Sequence, residues 1–140
     1  MSAKCYVGRR RPMTVQDWKR LGWAQEHAER YALLDHSTAE VVVLDQDGVR
    51  PLAHHVRHSP SGFSWGYAGS GPSELARCIL LDHFNLPRDT DTEWDSPRLP
   101  VSYQRFKFDV IARLDQHQPW SISNRQIDEW ALSCAQEPER

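Results

Sequence analysis

Cysteine is scarce in this chain. Three residues, Cys5, Cys78 and Cys134, are spread across 140 positions. They form no CxxC pair and no disulfide framework, which fits a reducing compartment. No run of about 18 apolar residues occurs, so a membrane span is not expected. The opening "MSAKCYVGRRRP" has no apolar segment of signal-peptide length, and the expected location is the cytoplasm. A net charge of −2 argues against a strong global attraction to nucleic acid. There is no HExxH, no Walker-type GxxxxGK[ST] and no GxGxxG, and the serines of "GSGPSE" do not make GxSxG. Internal repeats and low-complexity tracts are also missing.

What is present reads as a soluble globular chain, 39% hydrophobic and 26% charged. The length fits a single domain spanning residues 1–140. Charge is mildly uneven, with a basic "GRRRP" at Gly8–Pro12 and an acidic "DTDTEWD" at Asp89–Asp95.

The pattern predicts strands early and helices late. Residues 4–8 read as a short strand ending in a basic turn. Thr14 is a good N-cap, with Asp17 at N3, for one long helix closing near Leu34, which Gly22 weakens in its middle. "EVVVLDQDGVRPL" reads as a hairpin turning at Asp45–Gly48, its second strand held to the sheet edge by Pro51. "GFSWGY" reads as a third strand with Phe63, Trp65 and Tyr67 on one face. The next helix takes Gly71 as N-cap, Pro72 at N1 and Glu74 at N3, and buries Leu75, Ala76, Ile79, Leu80 and Phe84. It stops before Leu86-Pro87. Residues 87–100 form an acidic, proline-containing loop. A further helix runs from Tyr103 to Leu114. Ser123 and Gln126 form a capping box, with Ile122 and Ile127 as a staple, for a last helix from Asn124 to about Ala135. The expected class is α+β: a small antiparallel sheet of three to four strands packed against about four helices.

Several residues invite a functional reading. Gly69, Ser70 and Gly71 precede a helix start, where free N–H groups favour a phosphate. A ligand site there would use Trp65, Tyr67, Gly69, Ser70, Gly71 and Ser73. The same glycines also serve as a sharp turn into a helix, and the three aromatics serve equally as core. His54, His55 and His58 cluster, but on a strand only two would share a face, so neither a metal nor another cofactor is expected. A hydrolytic site would draw on His58, Ser70 and Glu74. Arg9, Arg10 and Arg11 could touch nucleic-acid phosphates, although an ordinary solvated surface explains them as well. Asp89, Asp91, Glu93 and Asp95 surround Trp94, a combination suited to a basic protein surface.

The run "SPSGFSWGYAGSGPSELARCIL", Ser59–Leu80, resembles a domain-of-unknown-function family of phages, prophages and some archaeal and bacterial genomes. The family's motif is SPxGFxWGYxGSGPxxLAxxIL, and Ala68 stands where glycine is usual. "YQRFKFDVIARL" and "WSISNRQIDEW" are similar to its later segments, so the resemblance spans residues 39–132 and leaves the helix at 14–34 as an elaboration. It implies no catalytic residues. It implies a mobile-element setting inside a bacterial host cell, where small acidic proteins often act by binding. The expected function is therefore a non-enzymatic binding protein, an anti-CRISPR-like inhibitor that contacts a host protein or ribonucleoprotein complex. The alternatives are a nucleotide- or phosphate-binding protein using the glycine turn, and a hydrolase.

Overall fold

A computed structural model describes residues 3–34, 36–59, 62–86 and 99–136. Its centre is a four-stranded antiparallel sheet, with helices packed on one face, which makes it an α+β fold. The strands are β1 (Cys5–Pro12), β2 (Ser37–Asp45), β3 (Gly48–Pro51) and β4 (Trp120–Ser123), in the order β3-β2-β1-β4. β1 is longer than the sequence suggested, because the arginines continue the strand instead of turning it. Arg9, Arg10 and Arg11 pair in register with Glu40, Ala39 and Thr38.

Side chains alternate across the sheet. Tyr6 and Gly8 of β1, Val41 and Val43 of β2, and Trp120 and Ile122 of β4 face the helices and are buried. The opposite face carries Cys5, Val7 and Arg9 beside Leu44, Val42 and Glu40. The β2–β3 turn uses Gly48 at φ 126°, a backbone value that glycine adopts readily, so the Asp-Gly signal marks a real hairpin. Pro51 ends β3 at the sheet edge, where its missing N–H breaks no ladder.

The expected helix from Thr14 to Leu34 is two helices, α1 (Val15–Arg20) and α2 (Gln25–Tyr31). Gly22, at φ 99°, lies outside α1 rather than in the middle of a helix. Its N–H bonds to the Lys19 carbonyl, and the Trp23 N–H bonds to that of Trp18. This pair of bonds is the Schellman termination that glycine favours. The start of α1 is as predicted: Thr14 and Asp17 exchange a reciprocal capping box.

The central helix, α3 (Ser70–His83), is buried on every side from Gly71 to Leu81. Its N-cap is Gly69, two residues earlier than expected. Pro72 falls at the third helical position, where its missing N–H still breaks nothing, since the first intrahelical bond is Ser73 N–H to the Gly69 carbonyl. Polar groups tie α3 to the sheet. Asp82 accepts from the Tyr6 hydroxyl at 2.6 Å, from Arg50 at 2.8 Å and from Lys4 at 3.4 Å.

"GFSWGY" forms no strand. Positive φ at Gly62 and Gly66 breaks the extended run, sending Trp65 into the core and Tyr67 out to solvent. The expected helix from Tyr103 to Leu114 divides into α4 (Tyr103–Asp109) and a single 3-10 turn at Ile111–Arg113. The Ile111 carbonyl there accepts from the Gly66 N–H instead of continuing an α-helical ladder. β4 lies where only a turn and a cap were read. It feeds directly into α5 (Asn124–Gln136), whose Ser123–Gln126 capping box is formed as predicted. None of the helices among the described residues is long and apolar enough to cross a membrane.

Among the glycines the closest approach is at Gly8, which Trp120 of the neighbouring strand covers. A methyl group there would lie 2.3 Å from the Trp120 ring, which sits flat on the strand and packs edge-to-face with Trp65 at 5.5 Å. Gly8→Ala forces the indole out of its seat. The expected loss is about 1–3 kcal/mol of stability, read from urea unfolding followed by tryptophan fluorescence. An unchanged midpoint would contradict this packing.

Candidate functional site

Chemistry-bearing residues converge where the segment 52–59 crosses α3. This segment has no regular secondary structure after β3, yet much of its backbone is covered, so its polar groups need partners. α3 supplies them from its interior side. Glu74 is fully buried. Its carboxylate accepts the backbone N–H groups of Arg57 at 3.0 Å, His58 at 3.2 Å and Ser59 at 2.9 Å. It also meets the His54 ring nitrogen at 3.2 Å. One turn along, Arg77 donates to the His55 carbonyl at 2.9 Å.

Glu74 was expected at N3, where it would cap its own helix. The earlier start of α3 moves it two residues inward, to the fifth helical position, where it makes no bond to its own helix end and instead caps the neighbouring segment. Burial works to raise its pKa, but the converging N–H groups and His54 outweigh that and hold the carboxyl below the usual glutamate range. The carboxylate is a fixed anion whose lone pairs are already engaged.

His58 turns its ring to the Tyr103 hydroxyl of α4 at 2.8 Å. Burial lowers its pKa and so favours the neutral ring, with Glu74 opposing that shift. Cys78, also on α3, has its thiol pushed up to about 12 by burial, which keeps it protonated. The His54 ring thus meets Glu74 and the His58 ring meets Tyr103, while His55 is held through its backbone carbonyl. Among the described residues no group of three or more His, Cys, Asp or Glu side chains could hold a metal ion.

Three glycines of the turn, Gly66, Gly69 and Gly71, have a packing reason. A methyl group at Gly66 would lie 2.7 Å from the Gln116 backbone, at Gly69 2.6 Å from the Tyr67 ring, and at Gly71 2.5 Å from Ser64 Oγ. The Ser64 and Tyr67 hydroxyls join at 2.6 Å. The start of α3 is therefore clasped by its own preceding loop.

Of the residues proposed for a ligand, Trp65, Gly71 and Ser73 are buried, which corrects the expectation that they line an open site. Trp65 cannot stack on a ligand because Trp120 packs against it and the Arg10 guanidinium lies over it at 5.4 Å. Ser73 faces Gln104 of α4 at 3.4 Å. Tyr67 and Ser70 remain exposed. The hydrolytic grouping is not assembled either: Glu74 holds backbone, His58 holds Tyr103, and Ser70 stands at the solvent side of the helix start.

The three arginines are engaged in the fold. Arg9 pairs with Glu40 at 2.8 Å, Arg10 donates to the Gln116 carbonyl at 3.1 Å, and Arg11 forks onto Asp17 at 2.7 and 3.0 Å. Asp89, Asp91, Glu93, Trp94 and Asp95 lie outside the described residues. Tyr103 and Arg77 were missed as polar partners because the helical pattern marks positions, not what faces them. A buried Glu and Arg at i and i+3 in an otherwise apolar helix was the available signal.

The chain belongs to a family of unknown function (DUF6166), whose sequence pattern matches residues 27–133. The match contains the glycine-rich turn, α3, the 52–59 segment and β4. It begins inside α2, so β1 and α1 precede it. No curated protein and no solved structure matches the chain.

The Glu74 geometry fixes a pH dependence. A carboxyl held below its unfolded value adds stability above the unfolded pKa and loses it as pH falls through the folded one. A histidine held neutral acts in the same direction below its ordinary value. Stability should therefore decline as pH drops below about 6.5, and more steeply below about 4. Glu74→Gln should lower stability at pH 7 by about 2–4 kcal/mol, because an amide leaves buried N–H groups poorly matched. It should also flatten the acid limb relative to the parent. Equal acid slopes in the two proteins would count against the clamp.

Proposed function

We propose that this protein is a non-enzymatic binding protein of a phage or other mobile element, an inhibitor of a host defence system that acts by direct contact with a host protein or ribonucleoprotein complex. The α1–α2 hairpin carries this reading. It exposes Leu21, Trp23, Leu33 and Leu34, with Trp23 at 44% and Leu33 at 87% of full exposure. Large apolar groups held at a surface are the usual anchors of protein interfaces.

The hairpin is built to hold them still. Trp18 and Trp23 pack on Tyr31 at 5.2 and 5.0 Å, and Trp18 meets His36 edge-on at 5.5 Å. The Met13 N–H to His36 carbonyl bond closes its base, and the Arg11–Asp17 fork ties it to β1. Most of the hairpin precedes the residues shared with the family, as expected of an elaboration shaped to a particular partner. In the sequence, the acidic residues Asp89, Asp91, Glu93 and Asp95 around Trp94 add a charge suited to a lysine- and arginine-lined channel.

The test is retention of a host partner by tagged protein, compared across variants. Trp23→Glu combined with Leu33→Glu should reduce retention about tenfold or more, with the fold intact by circular dichroism. Lysine at Asp89, Asp91, Glu93 and Asp95 should abolish it. A partner retained equally by both variants would overturn the assignment.

A further inference from the structure

Among the described residues the sheet is covered on one side only. Its outer face is apolar at the centre, which is unusual for the solvent side of an antiparallel sheet. Val7, Val42, Leu44 and Val49 line a groove of about 380 Å³ there, and Val49 is 68% exposed.

Charge divides the two ends of this groove. At one end, Glu40 is shared by Arg9 at 2.8 Å and Arg11 at 3.8 Å, while Asp17 takes both Arg11 and Arg20. Three cations meet two anions, leaving that end positive. At the other end, the hairpin turn holds Asp45 and Asp47, whose only mutual tie is the Asp47 N–H donated to Asp45 Oδ1 at 2.8 Å. Neither has an ion-pair partner among the described residues.

We infer that this face binds a second copy of the chain, sheet to sheet, about a two-fold axis passing between Val42 and Leu44. Arg9 lies opposite Glu40, three residues to one side of that centre, and the Asp45–Asp47 turn lies a similar distance to the other side. At about 3.3 Å per residue each offset is roughly 10 Å. The rotation therefore sets the positive end of each copy over the acidic turn of its mate, twice, and buries the two apolar centres on each other. Such an isologous contact closes on itself. Sheets pack in this way about 10 Å apart, within reach of an arginine side chain. The product is a four-layer dimer with both sheets within and the central helix α3 on the outer side of each.

Sedimentation equilibrium of the purified chain tests this. The parent should weigh twice 16.2 kDa at about 100 μM, where a stable interface is filled. Arg9→Glu, Asp47→Arg and Val42→Asp should each weaken the dimer about tenfold or more. Asp47 lies in an exposed turn away from the core, and near-ultraviolet circular dichroism of each variant checks that the fold is intact. The double variant Arg9→Glu, Asp47→Arg restores opposite charges across the axis and should recover most of the affinity. A monomeric parent would overturn the inference. So would a dimer indifferent to these substitutions, or a double variant no better than the singles. Because the dimer variants and the host-partner variants change different residues, dimer mass and host-partner retention can fail independently.

Discussion

One buried carboxylate organises this fold. Glu74 sits in the helix that every other layer packs around, and its oxygens collect the main-chain donors of a segment with no ladder of its own. Removing three N–H groups from water without acceptors would cost several kcal/mol. A neutral side chain could satisfy part of that demand. Only an anion satisfies it with charge-assisted bonds from several directions, and that is what lets an irregular stretch cross the core at all. The helix accepts such a residue because Arg77 lies three positions on, holding the same segment through the His55 carbonyl.

The tight places around that helix follow from the same need for close approach. Glycine lets Ser64 and Tyr67 fold over the first turn of α3, and glycine again lets Trp120 lie on β1. The motif that drew attention in the sequence is thus a set of contact points between the chain and itself. Tyr6, Lys4 and Arg50 converge on Asp82 at the other end of α3, so a carboxylate pins the helix near each end.

Features encoded by near neighbours were legible in the sequence. The two capping boxes, the Asp-Gly hairpin, the proline at the sheet edge and the α+β class could all be read from spacing and residue type. Features set by distant partners were not. Gly22 reads as a flaw within a helix until the bonds that end α1 are seen. Gly66 reads as part of a strand until its N–H is found on Ile111. The four residues Trp120–Ser123 are too short to announce a strand, and only pairing with Tyr6 and Gly8 makes them one. Glu74 was placed by helical register, and an offset of two residues in the helix start changed its role from cap to clamp. At the proposed sites, residue type suggested a ligand at the glycine turn, whereas burial, which only the fold reveals, closed most of it.

The position of β1 has a consequence for how the molecule is made. Its two neighbours lie at very different distances along the chain: Val7 pairs with Val42 on one side and with Ser121 on the other. The first pairing closes early, and the second joins residues more than a hundred apart. During synthesis, β1 must wait with one edge open until the last quarter of the chain emerges. Contacts of such long sequence separation slow folding and leave an unpaired edge open to wrong partners. Arg9 and Arg11, standing on the neighbouring face of that strand, put like charges wherever two nascent copies would meet side by side in register. The same arginines that fit the acidic turn in the finished dimer thus guard the unfinished sheet against aggregation.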